Sequence, residues 1–292
     1  MDFKTHLQSR GMAVATIKRH EQELAKYTSF LADHNMLPEA ATQKELLGYL
    51  KHLKINRKLA NSTQNQVLGM LKNYYIYLCE YEGITNVFKL LKIRGVRRSR
   101  LRPVFDTDTL DLLCEEYLNY TKQYAPNGRE LRFYPDFDSL LKRRYLALTL
   151  LCYQGLHASE ILALRPEHFD LKRATVTVRE TKRSNARTLP LEAKQMMHLV
   201  AYLGSKNTKI VPNINQLELL NKTLKNRTKN DKIPFLDFRQ LRASRITFWI
   251  KTVGLRKAQY LAGHRTISGT QRYQNYGVSN LEQGLKKYHP LH

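Results

Sequence analysis

Apolar residues in the first third of the chain recur every three or four positions, which is the spacing of a helix with one buried face. Three such stripes follow one another between residues 16 and 78. Their members are Ile17, Leu24, Tyr27 and Leu31, then Leu46, Leu47, Leu50 and Leu53, and then Val67, Leu71, Tyr74, Tyr75 and Leu78. Gly83 follows the third stripe and is a typical C-terminal stop for a helix. The pattern predicts a small helical bundle with these stripes in its core.

The rest of the chain combines helical patterns with one short alternating stretch. The helical patterns occupy 110–117, 140–153, 191–203, 214–224, 241–252 and 256–261. Residues 174–179 alternate with period two, and so does the short segment 187–189 that follows a polar turn. These two segments predict a β-hairpin with residues 182–185 at its tip. The expected fold class is therefore mainly α with a small β-sheet.

The composition narrows the partners of this fold. The 292 residues include 49 Lys and Arg against 25 Asp and Glu, a formal net charge of +24. So many positive side chains repel one another unless a polyanion neutralises them. Nucleic acid is therefore the first partner to consider, and an anionic membrane surface is the second. The longest strongly apolar stretch, 145–152, is far shorter than the roughly 20 residues of a membrane span. No Gly-rich phosphate loop is present, so ATP hydrolysis is not indicated.

Cysteine usage points to a reducing compartment. Cys79, Cys114 and Cys152 are odd in number and widely spaced. They form neither a metal-ligand pair nor a disulfide framework. We therefore expect a cytoplasmic protein.

A basic segment with Gly95 and Pro103 at its ends separates the two periodic regions. It predicts an N-terminal helical domain at 1–95, a linker at 96–103 and a C-terminal domain at 104–292. Residues 1–95 carry a net charge of +6 and residues 96–292 carry +18. An ordinary solvated loop is one interpretation of the linker, and a strand laid along a phosphate backbone is the other. The arginines that would contact DNA there are Arg97, Arg98, Arg100 and Arg102.

Five short motifs within residues 150–276 carry side chains suited to phosphate chemistry. They are Gly155-Leu156-His157 with Glu160, then Thr181-Lys182-Arg183, then Arg239-Gln240-Leu241-Arg242, then Gly263-His264, and then Thr270 with Tyr273. Their order and spacing resemble the tyrosine recombinase (phage integrase) family, and the tail after the tyrosine is most similar to that of the bacterial Xer recombinases. The resemblance covers nearly the whole chain, because the N-terminal helices and the basic linker are similar to the family's SAM-like core-binding domain.

The resemblance implies a site-specific recombinase that cleaves and rejoins duplex DNA through a 3′-phosphotyrosyl intermediate. This link retains the energy of the phosphodiester bond, so we expect neither a cofactor nor a metal ion. A free tyrosine has a pKa near 10 and is a weak nucleophile at neutral pH. The site must therefore supply cations and hydrogen-bond donors to the charged phosphate, and a proton to the leaving oxygen.

The reacting groups are assigned by matching the family motifs. Tyr273 is the expected nucleophile, and Thr270 is expected to cap a short helix that presents Tyr273 on its first turn. Lys182, at the hairpin tip, matches the lysine that protonates the leaving 5′ oxygen. Its neighbour Arg183 is the alternative, since short tips tolerate a slip of register, and is otherwise expected to contact DNA.

The remaining candidates act on the phosphate or orient the cations. Arg242 matches the second catalytic arginine of the family, whose fork can bind two phosphate oxygens. Arg245 lies three residues further on and is expected to add a DNA contact. His264 matches the second histidine, a phosphate donor, and Glu160 matches the acidic residue that orients the cations.

Two positions depart from the family pattern. The first motif has His157 where the family has arginine, and the third motif begins with Arg239 where the family has histidine. His157 cannot form a bidentate fork and is only partly charged near neutrality. Arg239 is permanently cationic and can restore the missing charge from another side of the phosphate. We therefore expect an active enzyme, with a DNA-binding relative that lacks strand cleavage as the alternative.

Family likeness also implies an assembly. The expected partner is double-stranded DNA that carries an inverted-repeat recombination site. Four protomers are expected to assemble on two such sites. No membrane is expected to take part. The tail at 278–292 is expected to dock on a neighbouring protomer, and packing on its own domain is the alternative. Relaxation of supercoils without exchange of partners is a third possible activity. We expect no additional arm-binding domain before residue 1, and therefore a simple Xer-like architecture and not that of a long phage integrase.

Overall fold

The computed structural model describes residues 2–84, 93, 103–134, 136–181, 184–231 and 234–274. The chain divides into two compact units, Met1–Arg100 and Leu101–His292. Each unit has its own hydrophobic core. The predicted fold class, mainly α with a small sheet, is confirmed.

The first unit is built from helices between residues 2 and 84. They are α1 (Phe3–Ser9), α2 (Val14–Ala32), α3 (Gln43–Ile55) and α4 (Asn61–Glu82). The core contains the fully buried rings of Tyr27, Tyr49 and Tyr75, and the Tyr75 hydroxyl donates to the carbonyl oxygen of Pro38 at 2.7 Å. Gly83 ends α4 with a φ of +68°, in the left-handed region that favours glycine. The three predicted helices are confirmed, and their stripes are buried or partly buried except at Leu47. The prediction that Leu47 lies in the core is wrong, because the face of α3 that carries the buried Leu46 and Leu53 points inward and leaves Leu47 exposed.

The second unit is organised around one buried helix. The helices that the structure describes here are α5 (Thr107–Gln123), α6 (Gly128–Phe133), α7 (Phe137–Tyr153), α8 (Ala158–Ala163), α9 (Ala193–Leu203), α10 (Ile214–Arg227), α11 (Phe238–Ala262) and α12 (Ile267–Gln271). The side chains of α7 from Arg144 to Tyr153 are all buried, as the continuous apolar run predicts. The short helices α6, α8 and α12 have too few turns to show a helical period in the sequence.

A small antiparallel sheet lies between α8 and α9. Its strands are β1 (Phe169–Asp170), β2 (Thr175–Val178) and β3 (Arg187–Pro190), in the order β1-β2-β3. In the predicted hairpin, Val178 pairs with Arg187 and Val176 pairs with Leu189. The hairpin is confirmed. Strand β1 was not predicted, because two residues are too few to show alternation.

Helix α11 carries candidate residues near its start and places others just beyond its end. Asp237 caps its N-terminus by accepting hydrogen bonds from the backbone N–H groups of Arg239 and Gln240. Gly254 interrupts it with non-helical dihedral angles, φ +79° and ψ 166°. This break separates the two helical patterns predicted at 241–252 and 256–261. The helix ends at Gly263, so the next residue along the chain is His264.

Candidate active site

Arg242 lies in the second turn of α11, and its guanidinium group is buried. Its Nη1 donates to the carbonyl oxygen of Gly155 at 2.5 Å, and its Nη2 donates to that of Ala262 at 2.6 Å. Burial lowers the pKa of Arg242 to about 10, although the negative charge of Glu160 acts in the opposite direction. The group therefore stays cationic near neutrality, and it ties the first motif to the end of α11.

Tyr273 and His264 form a stacked pair beside this arginine. Their ring centroids are 5.8 Å apart and their planes differ by 10°. The half-buried Tyr273 packs against a small apolar cluster that includes Ile246 and Trp249. The Tyr273 side chain is also a hydrogen-bonding and electrostatic partner of Arg242. The structure thus brings together three of the residues that the motifs single out.

The His264 imidazole is neutral at physiological pH. Burial, followed by the positive charges of Arg242 and other nearby cations, lowers its pKa to about 4. Its Nδ1 lies 2.8 Å from the Thr270 hydroxyl oxygen. A neutral imidazole carries one ring N–H, so only one of its two nitrogens can donate a hydrogen bond.

The prediction that Thr270 caps a helix presenting Tyr273 is wrong. Helix α12 begins after Thr266, which places Thr270 in its last turn and Tyr273 beyond its end. The backbone N–H of Tyr273 donates to the carbonyl oxygen of Thr270 at 2.9 Å. The physical reason is that the Thr270 hydroxyl faces His264 and is fully buried, so it is not available to the helix N-terminus.

Glu160 and Arg187 form a buried ion pair behind these groups. Two hydrogen bonds of 2.9 Å join the guanidinium to the carboxylate, and the side chains of Arg187 and Glu160 are 0% and 2% exposed. The carboxylate also accepts from the Ser184 hydroxyl and from the backbone N–H of His157. Burial alone would raise the pKa of Glu160, but the bonds and charge of Arg187 outweigh it and hold the pKa at about 2.

Arg187 is a site residue that the sequence motifs did not single out. It was predicted only as part of a strand. Because Arg187 and Leu189 are two residues apart, they lie on the same, inward face of β3. A charged residue at an inward position was the available signal, since buried charges are rare unless paired.

Gly263 lets the end of α11 approach this ion pair. Its φ is +68°, and a Cβ atom there would lie 2.6 Å from Nη1 of Arg187. The backbone N–H of Asn185 donates to the Gly263 carbonyl oxygen at 2.9 Å, and Ser184 forms a β-bridge with His264. A side chain at position 263 would therefore separate the hairpin from the His264 segment.

His157 and Arg239 are both exposed and line the same cavity, of about 330 Å³. His157 precedes the first residue of α8, and Arg239 is the second residue of α11. The other residues that line the cavity are Leu156, Ala158, Ser159, Ile214, Leu217, Glu218, Asn221, Asp237 and Phe238. His157 is near enough to His264 to contribute to the lowering of its pKa. The two positions that depart from the family motif therefore face a common space.

Lys182 and Arg183 lie outside the described residues, but the residues on either side of them are held in place. The backbone N–H of Thr181 donates to the Ser184 carbonyl oxygen at 2.8 Å. Nη2 of Arg265 donates to the Thr181 carbonyl oxygen at 2.9 Å. The ends of this turn are thus fixed to the segment that bears His264.

The expected DNA contacts divide into two groups. Arg97, Arg98, Arg100 and Arg102 lie outside the described residues. Arg245 is described, and its side chain is 7% exposed, with the guanidinium 5.5 Å from the centre of the Tyr153 ring and 5.2 Å from that of Phe248. Cation–π packing turns this arginine inward, so its burial gives no support to the expected DNA contact.

No helix within the described residues is long and apolar enough to cross a membrane. In the same part of the chain, no group of three or more His, Cys, Asp or Glu side chains is placed to hold a metal ion.

Comparison with protein families matches both units. The phage integrase family matches residues 130–278, which is more than half of the chain, and the N-terminal SAM-like domain of phage integrases matches residues 1–83. The first match contains every motif residue named above between His157 and Tyr273. The second match confirms the SAM-like fold expected for the N-terminal domain.

Individual relatives match over almost the full length. Tyrosine recombinase XerD of Oceanobacillus iheyensis is 24% identical over 300 residues, covering 96% of this chain and 94% of the relative. Tyrosine recombinase XerA of Thermococcus kodakarensis is also 24% identical and covers 98% and 93% of the two chains. Among solved structures, the XerH site-specific recombinase bound to palindromic difH substrate shares the fold, with a TM-score of 0.67, 16% identity and coverage of 94% and 80%. The chain therefore belongs to the phage integrase family, the tyrosine recombinases.

Proposed function

We propose that this chain is a site-specific recombinase that cleaves duplex DNA with Tyr273 and rejoins the cut strand to a new 5′ end. The observation that carries the proposal is the Tyr273 ring stacked on His264 beside the buried cation Arg242. A tyrosine in this setting has a hydrogen-bond donor and a permanent positive charge within its immediate surroundings. These are the groups that a phosphoryl transfer without a bound cofactor needs around its nucleophile.

The proposed reaction has two symmetrical steps. In the first, the Tyr273 oxygen forms a bond to the scissile phosphorus, and the bond from phosphorus to the 5′ oxygen breaks. The phenol proton leaves to solvent or a nearby base, and Lys182 gives a proton to the departing 5′ oxygen. In the second, a 5′ hydroxyl from another strand gives its proton to Lys182 and attacks the phosphotyrosyl phosphorus. The bond from phosphorus to the Tyr273 oxygen breaks, and this oxygen takes up a proton from solvent or a nearby base.

Side chains from two parts of the site are proposed to stabilise the negative charge that builds up on the phosphate oxygens. Arg242 and His264 lie on the side of the tyrosine, and His157 and Arg239 line the neighbouring cavity. Arg239 supplies the permanent charge that the family places at position 157. The match to tyrosine recombinases favours this active arrangement over a DNA-binding factor that lacks cleavage.

The proposed substrate is double-stranded DNA with an inverted-repeat site, and the proposed active form is a tetramer on two such sites in the cytoplasm. Two features support DNA as the partner, the net charge of +24 and the likeness to the phage integrase family. A structural relative, XerH, is bound to a palindromic substrate. Residues 278–292 would dock on a neighbouring protomer in this assembly.

The proposal is tested by trapping the covalent intermediate. The DNA that flanks the gene is first searched for short inverted repeats as candidate sites. A nick close to the cleavage point then lets the released fragment diffuse away, so that the adduct accumulates. We expect a protein–DNA adduct with the wild-type chain and none with Tyr273→Phe. The matched control is Tyr260→Phe, because Tyr260 is an exposed tyrosine of α11 outside the stacked pair, and it should form the adduct at the wild-type rate.

Two results would contradict the proposal. One is an adduct that persists in Tyr273→Phe and maps by mass spectrometry to a different residue. The other is specific binding of wild-type protein to its site without any adduct, which would favour a DNA-binding factor.

A further inference from the structure

Thr270 is the most buried polar group in contact with the stacked His264–Tyr273 pair. It is 0% exposed, and its hydroxyl oxygen lies 2.8 Å from Nδ1 of His264. Among the described residues, His264 is the side chain to which this hydroxyl is hydrogen-bonded. A buried hydroxyl aimed at one ring nitrogen constrains the proton on that ring.

The imidazole of His264 packs against Tyr273 and against α12, and its backbone is held by hydrogen bonds. Tyr273 stacks on one face, and a Cβ atom at Gly269 would lie 3.4 Å from the ring, so a backbone segment of α12 also packs closely against it. The backbone N–H of His264 donates to the carbonyl oxygen of Gln259, and the Gln259 side chain donates back to the His264 carbonyl oxygen at 3.2 Å. The ring therefore has little freedom to turn and present Nδ1 elsewhere.

The proton on this ring has two possible sites with opposite consequences. If Nδ1 carries it, His264 donates to Thr270 and Nε2 offers a lone pair, which repels a phosphate oxygen. If Nε2 carries it, the Thr270 hydroxyl donates to Nδ1 and Nε2–H can donate to the phosphate. A threonine hydroxyl can donate or accept, so it satisfies Nδ1 in either state, and only the second state also lets Nε2–H donate to a phosphate oxygen.

We propose that Thr270 is a positioning residue that holds His264 in the tautomer with the proton on Nε2. Thr270 acts through His264 and does not touch the DNA. The inference rests on the proposed function, because it gives His264 the task of donating to the scissile phosphate. Removing the hydroxyl leaves a buried Nδ1 without a donor, so the tautomer is no longer selected and the ring is freer to tilt.

The test compares Thr270→Val with Thr270→Ser. Valine keeps the shape of threonine and loses the hydroxyl, whereas serine keeps the hydroxyl and loses only the methyl group. In single-turnover cleavage of a nicked substrate, we expect Thr270→Val to be about 10- to 100-fold slower, by analogy with metal-binding histidines that lose their hydrogen-bond partners. Thr270→Ser should recover most of this rate, while DNA affinity stays the same for all three proteins.

A second comparison shows whether the effect passes through His264. On the background of His264→Gln, which has no tautomer to select, Thr270→Val should cause no further loss of rate. Equal slowing by valine in both backgrounds would overturn the proposal, because a packing defect would act regardless of residue 264. Equal slowing by valine and serine would overturn it for the same reason.

Nitrogen NMR of the histidine rings gives a readout that does not need activity. With His264→Gln used to assign the signal, the wild-type chain should show His264 with its proton on Nε2, and Thr270→Val should show a mixture of tautomers. A wild-type ring protonated on Nδ1 would refute the inference even if valine prevents folding. Absence of any wild-type adduct would refute the proposed function and leave this spectroscopic result intact, so the two failures are distinguishable.

Discussion

The candidate site has two parts that differ in burial and in their hydrogen bonds to the rest of the protein. The inner cluster, Glu160, Arg187 and Arg242, is buried, and each member is hydrogen-bonded to another protein group. The rim, His157 and Arg239, is exposed and lines a cavity. Both departures from the family motif fall on the rim, and the motif residues of the inner cluster, Glu160 and Arg242, follow the family pattern.

This difference has a physical explanation. Replacing Glu160 or Arg187 leaves the other as a buried charge without its partner, which is strongly unfavourable. Replacing Arg242 removes the buried donor to the carbonyl oxygens of Gly155 and Ala262, which is also unfavourable. Replacing a rim residue changes only what the cavity offers to a substrate. Histidine and arginine can therefore exchange places on the rim without damage to the fold, provided that the cavity still receives a permanent cation.

The largest expected effect is on catalysis at the rim. Arg239→Gln should slow single-turnover cleavage about 10³-fold, because losing a phosphate-clamping arginine costs about 10³–10⁵ in other phosphoryl-transfer sites. The double variant His157→Arg with Arg239→His, which moves the permanent charge across the cavity, should stay within about tenfold of the wild-type rate. Cleavage rates and DNA affinities of both variants test this directly.

The matched control for the rim is Lys251→Gln, which removes one positive charge from an exposed position further along α11. It should alter DNA affinity slightly and leave the cleavage rate of bound substrate unchanged. If Arg239→Gln behaved like Lys251→Gln, the rim would have no part in the chemistry and the comparison would fail.

The next effect is on the stability of the inner cluster. Glu160→Gln should lower the free energy of unfolding by about 3–5 kcal/mol, because it leaves Arg187 buried without its carboxylate. Asp138→Asn is the control in the same unit, since Asp138 forms an exposed ion pair with Lys142. That change should lower the free energy of unfolding by less than about 1 kcal/mol. Urea unfolding measures this free energy for both variants. If both lost the same amount, the buried pair would contribute no more to stability than the surface pair.

The smallest expected effect is the pH dependence of stability. The folded pKa of His264 is about 4 and the reference value is 6.5, so the unfolded chain binds more protons between these values. Stability should therefore be lost as the pH falls from 6.5 towards 4, and His264→Gln should reduce this slope. Glu160, with a folded pKa of about 2 against 4.5, adds a second loss below pH 4.5. An identical slope in His264→Gln between pH 4 and 6.5 would contradict the burial of this ring.

Much of the fold was readable from the sequence because its elements are long or sharply patterned. The stripes that formed α2, α3 and α4, and the buried run of α7, span enough turns for the helical period to be visible. Gly83 marked a helix end, since it adopts a left-handed φ value that other residues avoid. The short β1 and α12 were missed because local pattern needs length.

The candidate residues themselves came from motif order and spacing, and these are properties of the chain alone. Their mutual arrangement came only with tertiary structure. Arg187 joined the site because β3 turns its side chain inward onto Glu160, a residue 27 positions earlier in the chain. Thr270, which we expected to cap a helix, is instead a hydrogen-bond partner of His264, because the chain folds back between these two residues.

The sequence by itself determined the class of protein, the excess of positive charge and the identity of the groups available for phosphate chemistry. Tertiary structure decided which of them are buried and which are exposed. It brought the permanent charge of Arg242 to the Tyr273 side chain, turned Arg245 inward and set His157 and Arg239 around one cavity. The strength of a charge interaction depends on burial and on the distance between the groups. Local sequence pattern specifies neither of them, so the electrostatics of the site could be described only from the folded chain.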